Sequence, residues 1–258
     1  MRFDVVTLFP EAFPGPLAVG VVGRALQSGR IELEAHDLRD FGIGPRRQVD
    51  DIPFGGGPGM VLRPEPLFAA VRSVADLPGL AEPHMVLLSP AGRRLDSEIA
   101  AELARHPRLL LVCGRYEGVD ERVRIGLGLD EISIGDFVLS GGELAAMVLI
   151  DTVARWVPGT LGDPTSLLDE SFAEGLVEYP HYTRPAVFES LEVPAVLRSG
   201  DHAKIAAWRA EAARQRASRL RPDLLAPARG PAHMHSEPSD NRSRPEPVPA
   251  QEASHEHH

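Results

Sequence analysis

Residues 130–150, DEISIGDFVLSGGELAAMVLI, hold the residue types and spacing most suited to chemistry. Ile132 and Ile134 open a short apolar run, and Gly135, Asp136, Gly141 and Gly142 interrupt it. Leu144, Met147, Val148 and Ile150 then roughly fit one helical face. The pattern predicts a strand, a bent loop and a helix. Two adjacent glycines ahead of a helix let a ligand touch bare backbone. The N–H groups exposed there can bind a purine edge, a carboxylate or a phosphate. An ordinary loop with glycines at its turns has the same pattern, so other stretches must decide.

A second such stretch is residues 46–60, RRQVDDIPFGGGPGM, with Asp50, Asp51, Gly55, Gly56, Gly57 and Gly59. Ordering so many glycines is entropically costly, and close approach to a flat or anionic ligand is one reason to do so. A flexible surface loop is the plainer alternative. No Lys–Ser/Thr pair follows, so this is not a phosphate-cradling Walker loop, and the G-x-G-x-x-G dinucleotide fingerprint is also missing. Two further apolar runs, 85–89 and 109–113, lead into Pro90-Ala91-Gly92-Arg93-Arg94 and Gly114-Arg115-Tyr116-Glu117-Gly118. With 131–134 they make three strands that each end in a loop rich in glycine and polar groups. Open α/β sheets bind ligands at the carboxyl ends of their strands, so three such loops on one edge outweigh any one of them.

The elements that must carry these loops read as an alternation. Strands are expected at 2–9 and 31–35, and helices at 17–27, 65–74 and 96–105, which is the signature of an α/β fold with a mainly parallel sheet. An apolar fraction of 43% suits a well-formed core. No apolar run is long enough to cross a bilayer, and the N-terminus lacks a signal peptide's basic flank and cleavage site, so a cytoplasmic protein without membrane contact is expected. The single cysteine, Cys113, excludes an intrachain disulfide and reads as a small buried hydrophobe. A net charge of −10 argues against broad, sequence-blind nucleic-acid binding. Locally the sign reverses: between 198 and 222, Arg198, Lys204, Arg209, Arg214, Arg216, Arg219 and Arg221 face only Asp201 and Glu211. Residues 227–258, rich in Pro, Ser, Glu and His, read as a disordered tail.

Six motifs in order, DDIPFGGGPGM (50–60), LLSPAGRRL (87–95), LVCGRYEGVDERV (111–123), EISIGDFVLSGGELAAM (131–147), SFAEGL (171–176) and PHYTRP (180–185), resemble the bacterial tRNA (guanine-N1)-methyltransferase family of the SPOUT class. Similarity extends from residue 1 to about 225. The resemblance implies a parallel α/β sheet with a C-terminal trefoil knot, plus a small all-helical C-terminal domain. It implies methylation of N1 of guanosine 37 in tRNA, beside the anticodon, with S-adenosylmethionine held by the knot. The cofactor residues carried over are Leu88, Ser89 and Pro90; Gly114, Tyr116 and Glu117; and Ile134, Gly135, Asp136, Phe137, Val138, Leu139, Gly141 and Gly142. Glu117 or Asp136 would face the sulfonium or the amino group.

The family's catalytic base is an aspartate just before the SFAEGL stretch. Here Glu170 holds that position and Asp169 adjoins it, so the base is Glu170 with Asp169 as the alternative. Arg155 is the cation expected near guanine O6. Magnesium is also implied, although the sequence has no dedicated set of metal ligands. Asp51, Gly57, Gly59, Arg184 and Arg209 are the candidate substrate contacts. The implied organisation is a methyltransferase domain at 1–160, a mobile lid at 161–185, a helical tRNA-binding domain at 186–226 and a tail at 227–258. The resemblance further implies a homodimer whose active site is shared between subunits. A SPOUT enzyme acting on a ribose 2′-hydroxyl and a non-catalytic RNA-binding module are the two rival readings.

Overall fold

The computed structural model describes residues 1–162, 171–172 and 176–225. Its centre is a five-stranded sheet of β1 (Arg2–Thr7), β2 (Glu32–Asp37), β5 (His84–Arg94), β6 (Arg108–Cys113) and β7 (Asp130–Ser133). The strand order is β2-β1-β6-β5-β7, and every neighbouring pair is parallel. Every residue of β6, RLLLVC, is buried, as a central parallel strand covered on both faces requires.

Successive side chains point to opposite faces of a sheet, and two cores result. Phe3, Val5, Val86, Leu88, Leu109 and Leu111 pack beneath α2 (Gly20–Gln27), α4 (Ser97–Leu103) and α6 (Glu143–Ala154). Val6, Leu87, Leu110 and Val112 pack beneath α3 (Pro64–Ala75) and α5 (Glu121–Leu127). A buried charged cluster links neighbouring strands. Fully buried Asp4 accepts hydrogen bonds from Arg108 at 2.8 Å, Arg2 at 2.8 Å and His36 at 2.8 Å. Arg108 also donates to the carbonyls of Ala75 and Ala81. Burial disfavours the Asp4 carboxylate, but these donors outweigh it and hold its pKa far below the usual range.

Three expectations shift. The helix expected over 17–27 begins only at Gly20: Leu17 closes a separate short helix, α1 (Pro14–Leu17), and extended Val19, at φ −114° and ψ 165°, stands ahead of α2. The strand expected at 85–89 continues to Arg94, but irregularly: Leu88 and Arg93 both pair with Ile132 of β7, so residues 89–92 form an excursion. A short antiparallel pair, β3 (Asp50–Asp51) and β4 (Val61–Leu62), closes the base of the glycine-rich loop. Beyond residue 186 the part expected to be all-helical is not: a small hairpin, β8 (Val187–Phe188) with β9 (Leu191–Glu192), precedes one long helix, α7 (His202–Leu220). Asp201 caps α7 by accepting from the Lys204 amide. The tail and two stretches of the expected lid, 163–170 and 173–175, lie outside the described residues.

Candidate active site

The loops after β5, β6 and β7 enclose a cavity of about 340 Å³ at the carboxyl edge of the sheet. Leu88, Ser89 and Pro90 line it from the first loop, and Gly114, Tyr116 and Glu117 from the second. Ile134, Gly135, Phe137, Val138, Leu139, Gly141 and Gly142 line it from the third. Of the residues singled out for a cofactor, Asp136 alone is not part of this lining; it is exposed to solvent. That leaves Glu117 as the carboxylate of the expected pair that faces the cavity.

Local backbone chemistry makes each loop turn. In the second, Tyr116 sits at φ 59° and Gly118 at φ 134°, and the Gly118 amide donates to the Arg115 carbonyl. In the third, Gly135 takes φ 148°. The Ser133 hydroxyl accepts from the Gly135 amide at 3.2 Å and donates to its carbonyl at 3.1 Å. The third loop then returns against the second. Gly141 and Arg115 form an antiparallel bridge, and the Gly142 amide donates to the Gly114 carbonyl at 2.8 Å. A Cβ on Gly142 would stand 2.7 Å from the Cys113 Cα, so only glycine permits this approach.

A polar latch that sequence reasoning missed holds these two loops. Glu143, buried in the first turn of α6, accepts from the Thr7 hydroxyl at 2.8 Å and lies 3.6 Å from the Arg115 guanidinium. Arg115 also packs over the Phe9 ring at 4.7 Å. The available signal was an acidic residue opening an otherwise apolar helix, where the helix dipole favours negative charge.

The glycine-rich loop belongs to the same neighbourhood. The Glu117 amide donates to the Met60 carbonyl at 2.9 Å, and Leu62 bonds to Gly118 and Asp120. Gly59 lies where a Cβ would meet the Glu117 carboxylate at 2.3 Å. Gly57, at φ 122°, and Asp51 are exposed, and Asp51 pairs with Arg63 at 3.1 Å. Phe54 at the loop's tip is 100% exposed, with Ile52 close behind at 75%.

The other candidates are more dispersed. Arg155 caps the carboxyl end of α6. Glu170 and Asp169 lie outside the described residues. Arg184 is exposed, and Arg209 stacks over Tyr179 at 4.7 Å. Trp208 is half-buried beside Tyr182, consistent with packing. His181 is exposed and pairs with Glu178 at 2.7 Å. Burial, and secondarily the charge of Glu143, push the Cys113 thiol well above its usual pKa, so it stays protonated and unsuited to nucleophilic attack. Among the described residues no group of three or more His, Cys, Asp or Glu converges as a metal site would. No helix there is long and apolar enough to cross a membrane.

The chain is similar to known proteins along most of its length. A family model described as tRNA (Guanine-1)-methyltransferase TrmD matches residues 1–227. The tRNA (guanine-N(1)-)-methyltransferase of Chloroflexus aggregans is 55% identical over 230 residues, covering 88% of this chain and 89% of its own. Those of Geobacter sulfurreducens and Moorella thermoacetica are each 51% identical, over 226 and 244 residues. They cover 87% and 94% of this chain, and 91% and 94% of their own lengths. Together with the family match from the first residue to residue 227, these identities place the chain in the tRNA (guanine-1)-methyltransferase, or TrmD, family.

Proposed function

We propose that this protein transfers a methyl group from S-adenosylmethionine to N1 of guanosine 37 in tRNA. The observation that carries the reading is the single cavity built by three converging loops in a chain of this family. Its lining fits the donor. Ile134, Val138 and Leu139 offer an apolar slot for adenine, glycine backbone borders it, and Glu117 offers a negative charge. The donor supplies a methyl group on a positively charged sulfur.

N1 of guanine carries a proton, so its lone pair becomes nucleophilic only as that proton leaves. A carboxylate from Glu170, or Asp169 beside it, accepts the proton. Arg155 faces the negative charge that then grows on O6. No magnesium cage fits the described residues, and no step is assigned to one.

The wider organisation follows the same reading. A knotted chain path is supported by the double pairing of Ile132 and by the third loop's route from β7, at the sheet edge, back to Cys113 in β6. A homodimer with shared sites is supported by α6, which exposes Leu144 at 58% and Val148 at 45%, one turn apart. Residues 1–160 form the methyl-transfer body, 161–185 the lid, 186–226 the tRNA-binding part and 227–258 a tail. Arg184 of the lid, together with Arg209 and the basic face of α7 in the tRNA-binding part, meets phosphates, while Asp51, Gly57 and Gly59 border the incoming base. The protein acts in the cytoplasm.

The test is methyl transfer to tRNA transcripts with guanosine or adenosine at position 37, with mass spectrometry of the digested nucleosides. N1-methylguanosine from the first transcript alone is expected. Methyl on a ribose, or no product, contradicts the reading. Glu170→Gln and Asp169→Asn then separate the two candidate bases: the true one loses about a hundredfold or more in rate.

A further inference from the structure

The first loop of the cavity has a fastening that none of the site residues supplies. Leu88 and Arg93 both pair with Ile132. Residues 89–92 therefore leave β5 and come back to the same β7 residue, and Ser89 and Pro90 on this excursion form a cavity wall. The backbone closes it only in part. The Leu95 amide donates to the Ser133 carbonyl at 2.8 Å, and Gly92 lies flush on Glu131 and Ile132.

Arg93 completes the closure. Its guanidinium donates to Asp130 at 3.2 and 2.7 Å and to Glu102 at 3.0 and 2.8 Å. One fork thus ties the returning limb of the excursion to the start of β7 and to α4. Asp130 is held from behind by His84 at 3.1 Å, and His84 stacks on His106 with ring centroids 4.4 Å apart. Hydrogen bonds donated to Glu102 and then Asp130 hold the Arg93 cation well above its usual pKa. Arg93 is partly exposed, so the pairs add little net stability. A bidentate fork nevertheless fixes direction and distance, and direction is what a loop bordering a ligand requires.

We infer that Arg93 is a positioning residue for the donor: by clasping Glu102 and Asp130 it holds Ser89 and Pro90 in place as a preformed cavity wall. The inference rests on the proposed function for the identity of the ligand. Lysine has the charge but not the planar fork. Alanine leaves Glu102 and Asp130 facing each other without a cation.

The test uses the full chain, titrated calorimetrically with S-adenosylhomocysteine, alongside thermal melting and steady-state kinetics. Arg93→Lys is expected to weaken binding about tenfold, within the range that a displacement of about 1 Å costs. The KM for tRNA should stay within about twofold, because the tRNA-facing parts are untouched. Glu102→Gln, which perturbs only one prong and is the milder change, should weaken binding about threefold. The double variant should bind about as Arg93→Lys alone does, since both changes break one clasp. A parent-like dissociation constant in Arg93→Lys, with a lowered melting temperature, reduces Arg93 to a purely structural role and overturns the inference. A parent protein that does not bind S-adenosylhomocysteine overturns the functional reading itself, and this inference with it.

Discussion

The sharpest perturbation of the cavity is one methyl group at Gly142. The residue's φ of −77° suits any L-amino acid, so a substitution there is a steric test without backbone strain. Its added Cβ would lie 2.7 Å from the Cys113 Cα, 3.0 Å from the Gly114 nitrogen and 3.1 Å from the Cys113 Cβ. Two of these are backbone atoms of a central strand and its first loop residue, which no rotamer change can move. Carbon atoms rest at about 3.5 Å or more, so the third loop must retreat by about 0.8 Å. That stretches the 2.8 Å bond from the Gly142 amide to Gly114 and moves the bridge at Gly141. Overpacking of this kind costs about 1–3 kcal/mol, or roughly 2–12 °C in melting temperature for a domain of this size. The larger effect should be on the ligand. Gly142→Ala should weaken S-adenosylhomocysteine binding by about ten- to a hundredfold, because both walls of the slot separate. Gly141→Ala is the informative comparison. Its Cβ would meet the Glu143 and Arg115 side-chain ends, at 2.4 and 2.5 Å, and these can give way, so a smaller loss is expected. Gly162→Ala, with no described atom within 4 Å of its Cβ, should be silent. Isothermal titration of the three variants decides: parent-like affinity in Gly142→Ala refutes the view that this contact sets the cavity's shape.

Two further outcomes follow from the same geometry. Glu143→Gln keeps the shape and the Thr7 contact but removes the charge facing Arg115; it should cost about 1–3 kcal/mol by chemical denaturation and weaken donor binding, and an unchanged denaturation midpoint would discount the latch. Asp4 predicts the acid limb of stability. Its folded pKa is depressed, so its contribution is complete above the unfolded value of about 3.9 and is lost as pH falls below it. Urea titrations between pH 7 and 3 should show a fall beginning near pH 4, and Asp4→Asn should flatten it.

Much of this architecture was legible in the chain. The apolar runs at 85–89, 109–113 and 131–134 are strands β5, β6 and β7, because buried parallel strands need continuous Val, Leu and Ile. Their loops converge because consecutive parallel strands present carboxyl ends on one edge. What stayed hidden was long-range pairing. Nothing in LLSPAGRRL shows that Arg93 pairs with the same Ile132 as Leu88, since register is a property of two strands. Thr7 and Glu143 are 136 positions apart, and no local pattern links them. The extended backbone at Val19 interrupts a helix that periodicity alone would carry through from residue 17, because the pattern does not encode that turn. Asp136 was carried over from the family resemblance, yet it is exposed, because which way a loop side chain faces depends on turn geometry that a motif match does not fix.

The most direct measurement of the central claim is a crystal structure of the complex with S-adenosylhomocysteine. The account predicts the adenine between Ile134 and Leu139, bordered by the backbone of Gly141 and Gly142, with the sulfur reachable from Glu117. Ligand bound at any other place on the chain, with the cavity behind β5, β6 and β7 left open, would contradict it.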